Sequence, residues 1–130
     1  MKSMLVIGLG RFGYNLAQNL AELGNEVMVV DRDEDRVQQL TPYVTASLIG
    51  DCQDEDVLRS LGVNSFDVCF VCISNDFQSS LETTCMLKEL GAKYIVAKAR
   101  SAVHAKVLER VGADMIVFPE QDMGEKLGYM

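Results

Sequence analysis

Apolar and polar positions follow two rhythms along this chain, and the two take turns from one end to the other. Short, nearly continuous apolar runs occupy 4–7, 26–30, 45–49, 68–73, 94–97 and 115–118. A run such as Val68-Cys69-Phe70-Val71-Cys72-Ile73 fits a strand of a parallel sheet covered on both faces, where neither side meets water. Between these runs, the stretches 12–23, 33–40, 54–61, 77–90 and 102–111 space their apolar residues as a helix with one buried face does, and another opens near 120. Gly24, Gly62, Gly91 and Gly112 each follow such a stretch, where a left-handed C-cap ends a helix. Asp33, Asp54, Asp76 and Ser101 stand where a side-chain oxygen caps a helix N-terminus.

Six strand–helix units joined by short links predict an α/β fold, a Rossmann-like doubly wound parallel sheet of about six strands in a single domain. Two mononucleotide halves of three units each give the strand order 3-2-1-4-5-6. The length of 130 residues suits one domain, and no linker, repeat or low-complexity segment divides it. Met123, Leu127 and Met130 continue a helical period to the last residue, which reads as the opening of a helix belonging to a longer protein.

Composition narrows the setting. Hydrophobic residues at 48% and charged ones at 24% are the balance of a soluble globular protein. No run approaches the roughly 18 apolar residues of a membrane span, and Gly8 and Arg11 interrupt the first apolar run too early for a signal peptide. Cys52, Cys69, Cys72 and Cys85 lie mostly within apolar segments without an export signal, so reduced thiols and a cytoplasmic location are expected. A formal net charge of −7 disfavours nucleic acid or an anionic membrane as the main partner. It leaves a nucleotide open, because backbone N–H groups and one or two cations can hold its phosphates.

The strongest motif is Gly8-Leu9-Gly10-Arg11-Phe12-Gly13, directly after the first strand. Gly8 permits a tight turn, Gly10 lets backbone approach a pyrophosphate, and Gly13 lets the helix pack against the strand. Asp31 ends the second strand 18 residues beyond Gly13, where a carboxylate accepts hydrogen bonds from ribose hydroxyls. That acid favours NAD, ADP or ATP over a 2′-phosphorylated cofactor, although Arg32 beside it could accommodate one. The competing reading is a fold whose glycines serve packing alone. Arg11 is either a surface cation or a partner for a terminal phosphate, of its own nucleotide or of one on a neighbouring subunit.

Other candidates line up at the carboxyl ends of the predicted strands. Asp51 follows the third strand, where it either meets an adenine amino group or helps to cap the next helix. Ser74-Asn75-Asp76 follows the fourth, across the switch point from the glycine loop; polar contacts to ribose or phosphate compete there with capping by Asp76. Lys98 and Arg100 alternate with alanines at the end of the fifth strand, suited to a phosphate or simply to solvent. Glu120 follows the sixth, where it either ligates a divalent cation on a nucleotide or complements a helix N-terminus. Cys69 and Cys72 have a metal-like spacing but should face opposite sides of a sheet. His104, the single histidine, has no serine or cysteine plainly placed to pair with it, and no triad, metal cluster or acid–base pair stands out.

Taken together, these residues resemble the N-terminal domain of the regulator-of-potassium-conductance (RCK) family, in particular the cytosolic regulatory subunits of Ktr and Trk potassium uptake systems. The marks are the glycine loop, Asp31-Arg32, Ile49-Gly50-Asp51-Cys52, Asn75-Asp76, Ala97-Lys98-Ala99-Arg100, and Gly112-Ala113-Asp114 leading to Phe118-Pro119-Glu120. The resemblance covers essentially the whole chain and implies a ligand-gated regulator, not an enzyme. It implies nucleotide contacts (ATP/ADP or NAD(H)) from Gly8, Gly10, Arg11, Phe12, Gly13, Asp31, Arg32, Asp51, Cys52, Asn75, Asp76, Lys98 and Arg100. Glu120 is then the ligand of a divalent cation accompanying ATP. It further implies a homodimer assembling into a ring, commonly an octamer, on the cytoplasmic face of an integral membrane potassium-translocating subunit. The helix from about 120 matches the family's crossover helix, and the family's smaller C-terminal domain is absent from 1–130. The reading from another class is the cofactor-binding half of an NAD-dependent oxidoreductase, which would need a substrate domain and an acid–base residue.

Overall fold

Leu5, Val6 and Ile7 offer no polar side chain to turn toward water, and all three are buried. They lie in the first of six strands that alternate with five α-helices in the computed structural model, which describes residues 1–73 and 76–118. In chain order these are β1 Ser3–Ile7, α1 Arg11–Glu22, β2 Glu26–Asp31, α2 Glu34–Leu40, β3 Ala46–Ile49, α3 Glu55–Leu61, β4 Val68–Val71, α4 Phe77–Glu89, β5 Ile95–Lys98, α5 Ala102–Val111 and β6 Met115–Val117. Every strand pairing is parallel, and the order is β3-β2-β1-β4-β5-β6. The doubly wound sheet expected from the sequence is the fold of this protein.

Because strand residues alternate between faces, the sheet divides the core in two. Val6, Val27 and Val29 pack with Ala17 of α1 and with Val37 and Leu40 of α2. Leu5, Ile7, Val30, Val71 and Ile95 face the other way, against Leu58 of α3, Leu87 of α4 and Leu108 of α5. Cys69 belongs to the second cluster and Cys72 to the first, so the two thiols lie on opposite sides of the sheet as period-two geometry requires. Burial pushes the thiols of Cys52, Cys69 and Cys72 up to about 12, with Asp51 and then Asp31 adding to the effect at Cys52.

The expected caps are present. Asp33, Asp54, Asp76 and Ser101 each accept backbone N–H groups at the starts of α2, α3, α4 and α5. Gly24, Gly62, Gly91 and Gly112 all have positive φ at the helix ends. The fourth strand is shorter than its apolar run. Cys72 N–H donates to the Ile7 carbonyl at 2.8 Å, and beyond that point β1 has turned away at Gly8, so the chain leaves the sheet.

Candidate functional site

The six parallel strands end on one edge of the sheet, and where the order reverses between β1 and β4 a cavity of about 620 Å³ opens. Its wall is built from the ends of β1, β2, β3 and β4: Ile7 to Arg11, Val30 to Asp33, Gly50 to Gln53, and Cys72 with Ile73. Arg36 of α2, Asp76 and Ser79 complete the described lining. Crevices of this kind, at the carboxyl ends of parallel strands and at a switch point, are where open α/β sheets bind ligands.

The glycine turn is fixed by the chain itself. Gly8 has φ +93°, and a Cβ there would come within 3.0 Å of backbone atoms of Cys72 and Ile73. A Cβ on Gly13 would lie 1.9 Å from the Gly8 carbonyl oxygen, so α1 can pack this closely on the turn only with glycine in that place. Gly10 is the N-cap of α1 (φ −64°, ψ −174°) and supplies no side-chain cap, and the first turn of the helix contains no acid. The leading N–H groups and the positive end of the helix dipole are therefore left for an external acceptor.

Asp31 sits at the end of β2 with both carboxylate oxygens engaged. Oδ2 accepts from Leu9 N–H at 2.5 Å and Oδ1 from Asp33 N–H at 2.8 Å. Each oxygen has a further lone pair, so the carboxylate is held in one orientation while keeping acceptor capacity toward the cavity. Arg32 approaches Asp51 at 3.9 Å with both side chains largely in water, a contact of little energetic weight. Across the opening, Asp76 accepts from Gln78 and Ser79 N–H and from the Ser79 hydroxyl, the last at 2.7 Å. These bonds to Ser79, ahead of smaller contributions that include the charge of Arg32, hold the Asp76 carboxyl below its usual range. Gln53 Nε2 in turn donates to Ser79 Oγ at 2.5 Å, tying the β3 exit to α4. The Arg11 side chain lines the cavity and makes no hydrogen bond or ion pair among the described residues.

Of the residues expected to form the site, Gly8, Gly10, Arg11, Asp31, Arg32, Asp51, Cys52 and Asp76 come together around this cavity. Gly13 lies beneath the turn, and Phe12 packs against the core face formed by Val6 and Ala17. Lys98 and Arg100 do not line the cavity. Lys98 ends β5 near enough to Cys72 for its charge to act on that thiol, and Arg100 N–H donates to His104 Nδ1 at 3.2 Å. Asn75 and Glu120 lie outside the described residues. The expectation that His104 has no serine to pair with is corrected: Nε2 lies 3.2 Å from Ser80 Oγ across the α4–α5 contact, and both residues are buried. With Nδ1 accepting, Nε2 carries the proton and donates to Ser80. Arg36, Gln53 and Ser79 are lining residues that sequence reasoning missed. No group of three metal-ligating side chains is present among the described residues.

The TrkA-N domain model matches residues 4–119. This chain belongs to the TrkA-N family. Ktr system potassium uptake protein C of Bacillus subtilis (strain 168) is 45% identical over 128 residues, covering 98% of this TrkA-N chain and 58% of that protein. Protein A of the same system and organism is 43% identical over 126 residues, with 97% and 57% covered. The TrkA-N chain thus spans a little over half the length of these curated relatives. Among solved structures, the NAD(P)-binding domain of an exopolyphosphatase-related protein from Archaeoglobus fulgidus superposes with a TM-score of 0.84 at 22% identity, covering 100% of both chains. The GsuK channel bound to NAD gives 0.77 at 20% identity, over 89% of this chain and 21% of that one. At such identities the likeness to the two structures is one of fold.

Proposed function

We propose that this TrkA-N chain is the nucleotide-sensing lobe of a cytosolic regulatory subunit of a Ktr/Trk-type potassium uptake system, and that it performs no reaction of its own. The observation that carries this reading is the cavity at the switch point, where an uncapped helix N-terminus behind a glycine turn stands opposite an oriented ribose-type acid, Asp31. ATP/ADP or NAD(H) is the ligand pair that suits it. The diphosphate lies over Gly8 and Gly10, the ribose against Asp31, and the adenine toward Asp51 and Cys52. Arg11 then reaches the terminal phosphates, in this subunit or a neighbour. Asn75 and Asp76 complete the nucleotide side, Lys98 and Arg100 stand on the same sheet edge outside the cavity wall, and Glu120 helps to hold a divalent cation between paired triphosphates.

The names of the two Bacillus relatives support the potassium-uptake setting, and the NAD-bound channel, whose structure includes the same fold, supports a nucleotide as the ligand. In this reading the lobes form dimers through a helix starting near 120, and the dimers form a ring, commonly an octamer. The ring docks on the cytoplasmic side of an integral membrane potassium-translocating subunit. No described helix is long and apolar enough to cross a membrane. A ligand changes transport only if it binds two ring conformations with different affinity, and a tenfold difference per site is about 1.4 kcal/mol. Potassium flux through the full-length protein reconstituted with its membrane partner is expected to differ between ATP, ADP, NADH and no nucleotide. Identical flux in all four conditions overturns the gating role.

A further inference from the structure

Leu9, at the apex of the glycine turn, is fully buried, and each of its backbone polar groups is held by a side chain from a distant element. Its N–H donates to Asp31 Oδ2 at 2.5 Å, and its carbonyl accepts from Arg36 Nη1 at 2.7 Å. Arg36 is anchored on its other side, with Nε 3.4 Å from Asp33 Oδ2. Asp33 closes the circuit by donating its own N–H to Asp31 Oδ1 at 2.8 Å. A ring of polar contacts thus ties the β1–α1 turn to the β2–α2 turn, with Arg36 as its cationic member.

We infer that Arg36 is a positioning residue of the nucleotide site: by fixing the Leu9 carbonyl on the α2 side, it sets the direction of the Gly10 N–H. The inference rests on the nucleotide reading above and adds to it the residue that keeps the phosphate turn in register. The Leu9 carbonyl and the Gly10 N–H belong to one planar trans peptide and point in opposite directions. Holding the oxygen toward Arg36 therefore directs the N–H away from α2. Without that anchor, nothing among the described contacts holds this carbonyl, and glycine at position 10 tolerates either orientation of the peptide. A flipped peptide presents a carbonyl oxygen where an N–H had been, which opposes a phosphate instead of binding it. Arg suits the task because its planar guanidinium can hold the carbonyl and the Asp33 carboxylate at once, whereas a Lys ammonium offers a point contact without that fork.

The test compares wild type, R36M and R36K of the full chain by titration calorimetry with ADP and with adenosine, alongside the unfolding midpoint of each protein. Methionine keeps the apolar stem, so packing along α2 is retained while the hydrogen bond is lost. For R36M we expect ADP to bind about tenfold more weakly while adenosine changes less than twofold and the midpoint moves little; R36K recovers part of the ADP affinity. ADP affinity unchanged in R36M overturns the inference. So does an equal loss of ADP and adenosine accompanied by a lower midpoint, which identifies a purely structural arginine. Failure of the wild type itself to bind ADP overturns the nucleotide reading on which the inference stands, and is told apart from the other outcomes by that control.

Discussion

Single residues at this site are constrained by both the chain and its ligand, and substitutions separate the two. Gly13 answers to the chain: a methyl group there meets the Gly8 carbonyl oxygen at 1.9 Å, and backbone cannot step aside cheaply. Gly13→Ala is expected to cost about 1–3 kcal/mol of stability and to open the turn. Urea unfolding reads the first effect and ADP affinity the second; a variant as stable as wild type contradicts the packing seen at this position. Arg11 is the opposite case, a cavity-lining cation with no partner among the described residues. Arg11→Ala is expected to leave stability and adenosine binding nearly unchanged and to reduce the preference between ATP and ADP. An unaltered ratio of the two affinities would remove Arg11 from the phosphate end of the site. Asp31 and Asp51 were legible as single letters because each stands at a predictable strand end. Arg36 was not, since only the fold brings a residue of α2 to a carbonyl 27 positions earlier.

At the scale of elements, capping was legible because it is local. Asp, Ser and Gly act within three or four residues of themselves, and the expected N-caps at Asp33, Asp54, Asp76 and Ser101 are all formed. Asp54 caps α3 without lining the cavity, so Asp54→Ala is expected to lose about 1 kcal/mol in urea unfolding while nucleotide affinity stays the same. The contact between α4 and α5 was not legible, because Ser80 and His104 are 24 residues apart and meet only when β4 and β5 pair. Burial, and next the charge of Arg100, keeps the His104 ring below its usual pKa, so the fold favours neutral imidazole. A group depressed in the folded state adds stability that is full above its unfolded value, about 6.5 for histidine, and is lost as pH falls from there toward the folded value. Unfolding free energy should therefore drop between pH 7.5 and 5.5 in wild type, and drop less in His104→Gln. Equal pH dependence in the two proteins contradicts this, and the window is clean because His104 is the single histidine of the chain.

For the whole molecule, two hydrophobic periods and one glycine motif carried the reading a long way. Fully apolar runs foretold strands covered on both faces, and the glycine loop set where the order 3-2-1-4-5-6 would reverse. What the periods could not convey is where the chain leaves the sheet. Val68–Ile73 is apolar throughout, yet pairing stops at Val71 because β1 has no more strand to offer. The same limit applies to Lys98 and Arg100, which sit at the correct sheet edge but outside the cavity wall, since an edge is shared by six strands and a crevice by fewer. The central claim is that the crevice over the glycine turn takes an adenine nucleotide. Titration calorimetry of the purified chain with ATP, ADP and NADH tests it most directly. Saturable heat with at least one of them, abolished by Gly13→Ala or by Asp31→Ala, is the predicted result; no binding of any of the three would contradict the account.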